Sequence, residues 1–304
     1  MIKSKLCDIT GIKYPIIQAG MGPFPTTNLC IASANAGVLG ILSSSGIASD
    51  VSQPEIYGVF CRSGDADPEK DSKETVLRKI FQKVLDGTRE SQGIFGVNVM
   101  VSAEMREPAE LIVGTMLKVR EEDPEMKKRF KVLITSAGDP MPWADVIKKT
   151  DLVWMHVMPS VKAAQRCKKA GVDVIIASGH EGGFHTSWEP VHSMILLPAV
   201  IDAVADENTL VVGTGGFCDG KTLAAALVMA TSLGGVYGNN VKMVFAYAAI
   251  GLLSSIIGVA TARIGKSGDP SKALNSSTYV TTAIFAVLTA LSTYVFGFEW
   301  RIWG

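Results

Sequence analysis

The chain has 304 residues with 29 basic and 29 acidic side chains, so it carries no net charge and nothing in the balance points to nucleic acid or to an anionic membrane surface. Hydrophobic residues make up 47% of it, but the long uncharged runs are confined to the last quarter. Five cysteines (Cys7, Cys30, Cys61, Cys167, Cys218) lie without C-x-x-C spacing, a pattern of reduced thiols rather than of a disulfide framework or a zinc site.

In chain order, the opening MIKSKLCDITGIKYPIIQ has no long apolar core and no small-residue cleavage site. A secretory signal is therefore not expected, and the first domain reads as cytoplasmic. Seven short apolar runs follow as strand candidates, at 15–21, 38–44, 96–101, 132–137, 152–157, 172–178 and 210–214. Most are near-continuous, as parallel strands covered on both faces should be. The stretches between them, such as 161–170 and 219–230, carry helical spacing and good helix formers. Alternating strand and helix predicts an α/β fold with parallel strands. The charged stretch 50–89 reads as a solvated loop-and-helix excursion.

Small turn residues recur just past the strand ends: Ala19-Gly20-Met21-Gly22, Ser43-Ser44-Ser45-Gly46, Ser136-Ala137-Gly138, Ser178-Gly179 and Gly213-Thr214-Gly215-Gly216. A (β/α)8 TIM-type barrel builds its active site from the loops on that edge, whereas a doubly wound sheet uses only its switch point. Five turns of one kind favour the barrel. In IIASGHEGGFHTSW, residues 175–188, glycines 179, 182 and 183 allow sharp turns, and free N–H groups there can cradle phosphate or flavin oxygens. His180, His185 and His192 fall together in this region. The spacing shows neither convergent metal ligands nor a second shell, so no metal is expected. A turn histidine satisfied by local hydrogen bonds and a histidine that hands a proton to substrate both fit, with His185 the favoured candidate for the second role. In LVVGTGGFCDG, residues 210–220, a strand enters Gly-Thr-Gly-Gly, and Asp219 is placed to cap a following helix whose N-terminus suits phosphate.

Four segments then make a specific resemblance: IIQAGMG at 16–22, GVNVM at 96–100, GVDVIIASGHEGGFH at 171–185 and GTGGFCDGKTLAAALVMA at 213–230. Residues 1–230 resemble the nitronate monooxygenase (2-nitropropane dioxygenase) family and the related FMN-dependent enoyl-ACP reductases. The resemblance implies an FMN barrel that oxidises alkyl nitronates with O2 or, alternatively, reduces an enoyl substrate with NAD(P)H as co-substrate. By motif, Ala19, Gly20 and Met21 would pass the flavin ring through their backbone, Asn98 would hydrogen-bond it, and Ser178, Gly183 and Gly216 would contact FMN. Gly179 and Gly215 belong to the same two turns, and His185 takes the catalytic histidine's place. The family's Q-G-x-E-A-G-G-H is here Ser178-Gly-His-Glu-Gly-Gly-Phe-His185; serine for glutamine weakens one flavin contact, and Phe184 for glycine makes the substrate side bulkier.

An eighth strand ending in a glycine-threonine phosphate loop should follow. Gly235-Val236-Tyr237-Gly238 echoes it faintly, but no Gly-Thr comes after. Residues 243–262 and 279–298 are instead uncharged runs of transmembrane length joined by a polar loop, 263–278, which predicts an all-α hydrophobic hairpin over 231–304. Buried helices of a soluble protein are the alternative for these runs. LLSSIIGVATA, GDPSKALNSSTYVTTAIF and FGFEWRIWG resemble a fragment of a membrane-bound ion-pumping pyrophosphatase, whose aspartate-dense site the single Asp269 cannot supply. Arg263, Lys266 and Lys272 in the loop, against Lys242 and Arg301 outside it, would hold the loop in the cytoplasm and put the barrel on the far side, against a purposeful anchor. The expectations are therefore a cytoplasmic barrel over 1–230 with a membrane-associated tail, or a hybrid, misjoined chain without activity.

Overall fold

The computed structural model describes residues 4–183, 187, 190–206 and 208–226. Six strands, rich in β-branched and other apolar residues, pair in the order of the chain: β1 (Gly40–Ser43), β2 (Phe95–Met100), β3 (Phe130–Ser136), β4 (Val153–Met158), β5 (Val174–Ser178) and β6 (Leu210–Thr214). Every neighbouring pair is parallel. A doubly wound sheet must reverse its strand order at a switch point, and among the described strands none steps over another. The α/β expectation holds in this form: a parallel sheet in barrel order, with all carboxyl ends on one rim.

Helices α1 (Lys5–Thr10) and α2 (Thr27–Asn35) precede β1. Crossovers α3 (Pro54–Ser63) and α4 (Lys73–Gly87), then α5 (Arg106–Glu122) and α6 (Pro124–Arg129), then α7 (Ala144–Ile147), α8 (Val161–Ala170) and α9 (Ser193–Val204) join the successive strands. The stretch 50–89 is more than the solvated excursion its charge predicts. Helix α4 buries Val76, Leu77, Ile80, Phe81, Val84 and Leu85, a stripe at four-residue intervals, and Phe81 packs on Phe130, which stacks on Phe95. Ser72 opens the helix by accepting the Thr75 N–H. The charges of this stretch ride on the outer face of a helix that covers the sheet.

The first predicted strand, 15–21, is reduced to a single parallel bridge between Ile17 and Leu39. Gln18 explains the reduction. Its side-chain oxygen accepts the N–H of Ile41 at 2.9 Å, the donor that a further strand carbonyl would have taken. The ladder ends there, and Ala19-Gly20 is free to turn toward the mouth.

One face of the sheet forms a continuous apolar core: Leu39, Ile41, Val132, Ile134, Met155, Val174 and Ile176, closed by Leu6 and Ile12. Helix α1 lies across the amino ends of the strands, where Lys5 and Ile9 share a cleft with Leu152, Val153, Asp173 and Leu210. Met1–Gly216 is one compact unit and a second begins at Phe217. Within the second, Asp219 Oδ1 accepts the Thr222 N–H at 2.8 Å, the cap its sequence predicts. No helix among the described residues is long and apolar enough to cross a membrane. The predicted spans 243–262 and 279–298, their loop and the pyrophosphatase likeness lie outside the described residues.

Candidate active site at the mouth of the sheet

Residues paired across parallel strands share a face, so the register shows what each strand places above the core. Asn98 pairs with Ser43 on one side and with Ile134 on the other. Ser136 follows Ile134 by two residues, Ser178 follows Ile176 and Thr214 follows Val212. On four of the six strands the inward column therefore changes from aliphatic to hydroxyl at the carboxyl end, and on β2 it carries the Asn98 amide between Gly96 and Met100. A polar ring caps an apolar core at the edge where barrels do chemistry.

On one side of this ring the amide of Asn98 donates to Ser136 Oγ at 3.2 Å, and Ser44 Oγ donates to the Asn98 carbonyl at 2.6 Å. Gly20 lies directly against Asn98: a Cβ on Gly20 would come 2.6 Å from the Asn98 Cβ. Only a glycine admits this approach, which brings the Ala19-Gly20-Met21 backbone to the amide. Met21 and Phe24 stand exposed beside it.

On the other side two turns interlock. The Gly179 N–H donates to the Thr214 carbonyl at 3.0 Å, and the Gly182 N–H to the Gly179 carbonyl at 2.9 Å. Gly215 and Gly216 take φ of +108° and +78°, and their N–H groups meet no acceptor among the described residues. A Cβ on Gly215 would lie 2.7 Å from Ser193 Oγ, and one on Gly216 would lie 3.2 Å from the Glu181 Cβ. Two successive glycines of positive φ make a sharp turn, backbone of a kind that can present N–H groups to an anion. A Cβ on Gly183 would meet open space.

Of the residues singled out from sequence, Gly20 and Asn98 touch, as do Gly179 and Gly215, and Ser178 sits beside Gly182; all of them, with Gly216, stand on the same rim. His185 lies outside the described residues. Four participants were not singled out: Ser44 and Ser136, which hold Asn98, and Glu181 and Ser193, which fill the space beneath the glycine turns. The turn sequences signalled that serines would be there; nothing local signalled their partners. Glu181 accepts the backbone N–H and the hydroxyl of Ser193, each at 3.0 Å, and its carboxyl falls to about 2, chiefly because of that backbone donor. It is an anion at any working pH.

The remaining histidine, His156, belongs to the other face. It is buried beneath the helices, its Nδ1 lies 2.8 Å from Thr135 Oγ1, and burial pushes its pKa down to about 4. The ring is neutral and structural.

Comparison with known proteins agrees with this geometry. The sequence profile of the nitronate monooxygenase family matches residues 3–237. A 5-hydroxy-7a-methyl-1-oxo-octahydro-1H-indene-4-carboxyl-CoA dehydrogenase of Mycobacterium tuberculosis is 30% identical over 230 residues, 74% of this chain and 52% of that protein. A protein of Staphylococcus aureus (strain JH9) named probable nitronate monooxygenase is 25% identical over 236 residues, 75% of this chain and 64% of its own length. The FabK structure of Thermotoga maritima superposes with a TM-score of 0.53 at 23% identity, over 75% of this chain and 59% of that one, a likeness of fold. The chain spans about half the length of the first of these curated relatives. With a match over more than three quarters of its residues, this chain belongs to the nitronate monooxygenase family of oxidoreductases.

Proposed function

We propose that the chain carries an FMN-dependent oxidoreductase unit of nitronate monooxygenase type, a (β/α)8 barrel without its last βα unit, whose substrate is an alkyl nitronate oxidised with O2. The observation that carries the reading is the Gly215-Gly216 turn, two positive-φ glycines whose N–H groups meet no acceptor among the described residues, on the rim that also carries Gly20 against Asn98. The residues fit the cofactor. The Gly20 backbone lies against Asn98, the space beside Gly183 is open, the N–H groups of Gly215 and Gly216 meet no acceptor among the described residues, and Asn98 is held at the rim by Ser136. When bound, FMN supplies the electron acceptor. The chain's own part is to present the Ala19, Gly20 and Met21 backbone and the Asn98 amide to the ring. Ser178, Gly179 and Gly183 line its edge, and Gly215 and Gly216 hold the phosphate. His185 is assigned the proton transfer by its place in the motif. Replacing it, His185→Asn, should leave flavin content nearly unchanged and lower nitroalkane turnover by roughly 10²–10⁴-fold. Unaltered turnover would remove His185 from the role.

A second reading has its own support. The Mycobacterium tuberculosis dehydrogenase 30% identical to this chain acts, by name, on a carboxyl-CoA compound. A nitronate and the anion of a thioester are both carbanions stabilised by an adjacent acceptor group, so one mouth could serve either. Turnover of an enoyl or acyl thioester with NAD(P)H, and none of nitroalkanes, would decide for the thioester. The tail is assigned no part in the flavin unit, since the family match ends at residue 237, just before the apolar run at 243. A membrane-associated tail and a misjoined, inactive chain are separated by asking whether the purified protein takes up FMN at all.

A further inference from the structure

We propose that Glu181 is a positioning residue that fixes the two glycine turns of the mouth against each other. The inference rests on the reading of that mouth as a flavin site and adds a residue that holds its shape. Glu181 stands in the turn after β5, yet its carboxylate reaches the start of α9. Oε2 accepts the N–H and the hydroxyl of Ser193 at 3.0 Å each, and Oε1 lies 3.1 Å from His192 Nδ1. Ser193 faces β6 as well, its Oγ lying 3.1 Å from the carbonyl oxygens of both Thr214 and Gly215. One side chain thus bridges the end of β6 and the carboxylate of the β5 turn. The hydroxyl has a single proton for three acceptors, so the charge on Glu181 governs where that proton sits.

The packing is as specific as the hydrogen bonding. Ser193 Oγ would lie 2.7 Å from a Cβ on Gly215 and also bars one on Gly179, while Glu181 abuts Gly216. Three glycines of the two turns therefore rest on this acid–serine pair. The backbone closes the same neck, with the Gly179 N–H on the Thr214 carbonyl at 3.0 Å and the His180 N–H on the Val191 carbonyl at 2.9 Å. There is an electrostatic consequence. The N-terminus of a helix attracts anions, and the start of α9 already holds one belonging to the chain. A cofactor phosphate is left the Gly215-Gly216 turn.

Amide hydrogen exchange on the full chain, read on peptides covering Gly179 and Ser193 separately, tests this without activity. In Glu181→Ala the Ser193 amide loses its acceptor directly. The Gly179 amide, whose acceptor is Thr214, should also exchange about tenfold faster or more, because the turn it belongs to loosens. Amides of Val132–Thr135 should keep the wild-type rate. Glu181→Gln, which preserves shape and one acceptor oxygen, should restore most of the Gly179 protection. If Glu181→Ala does not fold, Ser193→Ala serves the same comparison. FMN titration of these variants should show about tenfold weaker binding or more, with riboflavin, which lacks the phosphate, affected less. Wild-type exchange at Gly179 beside faster exchange at Ser193 would overturn the proposal, leaving Glu181 a helix cap and nothing more. Loss of Gly179 protection in a protein that binds no flavin even as wild type would uphold the positioning role and refute the flavin reading.

Discussion

The two ends of the same six strands are built from opposite materials. At the carboxyl ends stand Ser43, Asn98, Ser136, Ser178, Thr214 and the close-packed glycine turns at Gly20, Gly179 and Gly215-Gly216. At the amino ends α1 lies over apolar residues, and buried cations tie helices to strands. Arg129, 2% exposed, donates to the Leu85 carbonyl at 2.8 Å and to the Thr88 carbonyl and hydroxyl at 2.7 and 2.8 Å, which satisfies the end of α4. Arg120, also buried, pairs with Asp151 at 2.9 Å. One end spends most of its polar groups on holding the fold, although the Nε of Arg120 and of Arg129 find no acceptor there. The other leaves the backbone N–H groups of Gly215 and Gly216 without an acceptor among the described residues, on the edge where barrels bind ligands.

The largest test of this contrast concerns the unit that should complete the mouth. Barrels hold a phosphate with two adjacent loops, and after the Gly215-Gly216 turn residues 231–304 offer no second Gly-Thr loop. Two missing charged hydrogen bonds at about 1.5–3 kcal/mol each amount to roughly 10²–10⁴-fold in affinity. The purified protein should be largely free of FMN. Replacing residues 231–304 with a family-like eighth strand and helix should raise the flavin affinity by that factor in a fluorescence titration. Tight stoichiometric FMN in the unmodified chain would show that the mouth is already complete.

At the opposite end, Arg129→Leu removes three hydrogen bonds but also a buried cation, for a net loss of about 3 kcal/mol in denaturant unfolding. The same substitution should leave FMN affinity unchanged. A change in affinity would mean that the two ends are coupled and the contrast is false.

His156 gives the smallest effect and a definite sign. Its folded pKa of about 4 lies below the ordinary 6.5 because burial disfavours the cation. Below pH 6.5 the unfolded chain binds a proton that the folded chain refuses. The stability this neutral histidine contributes is thus full above about 6.5 and declines as pH falls toward 4, by about 3 kcal/mol at most. His156→Gln should flatten that slope between pH 6.5 and 4 in urea titrations. An unchanged slope would move the acid sensitivity to another group.

What the sequence determined by itself is the repeating unit and the glycine positions. Apolar runs such as 132–137 and 172–178 are long enough and pure enough to be covered parallel strands. A glycine whose Cβ would collide, as at Gly20, leaves its mark in the chain because no other residue fits. Local signals also read correctly at Asp219, where donor and acceptor are three residues apart. They failed where the partner is distant in sequence. The run at 15–21 looks like a strand, but the Gln18 side chain takes a donor 23 residues away and ends the ladder. The charges of 50–89 hid a buried helical stripe, because a helix with one covered face looks solvated in composition. Glu181 and Ser193, 12 residues apart, are unremarkable in the sequence and meet only because β5, α9 and β6 bring them to one corner of the mouth. The chain fixed which residues could stand at the mouth; tertiary packing decided which others hold them in place, since a hydrogen-bond partner is chosen by distance in space and not along the chain.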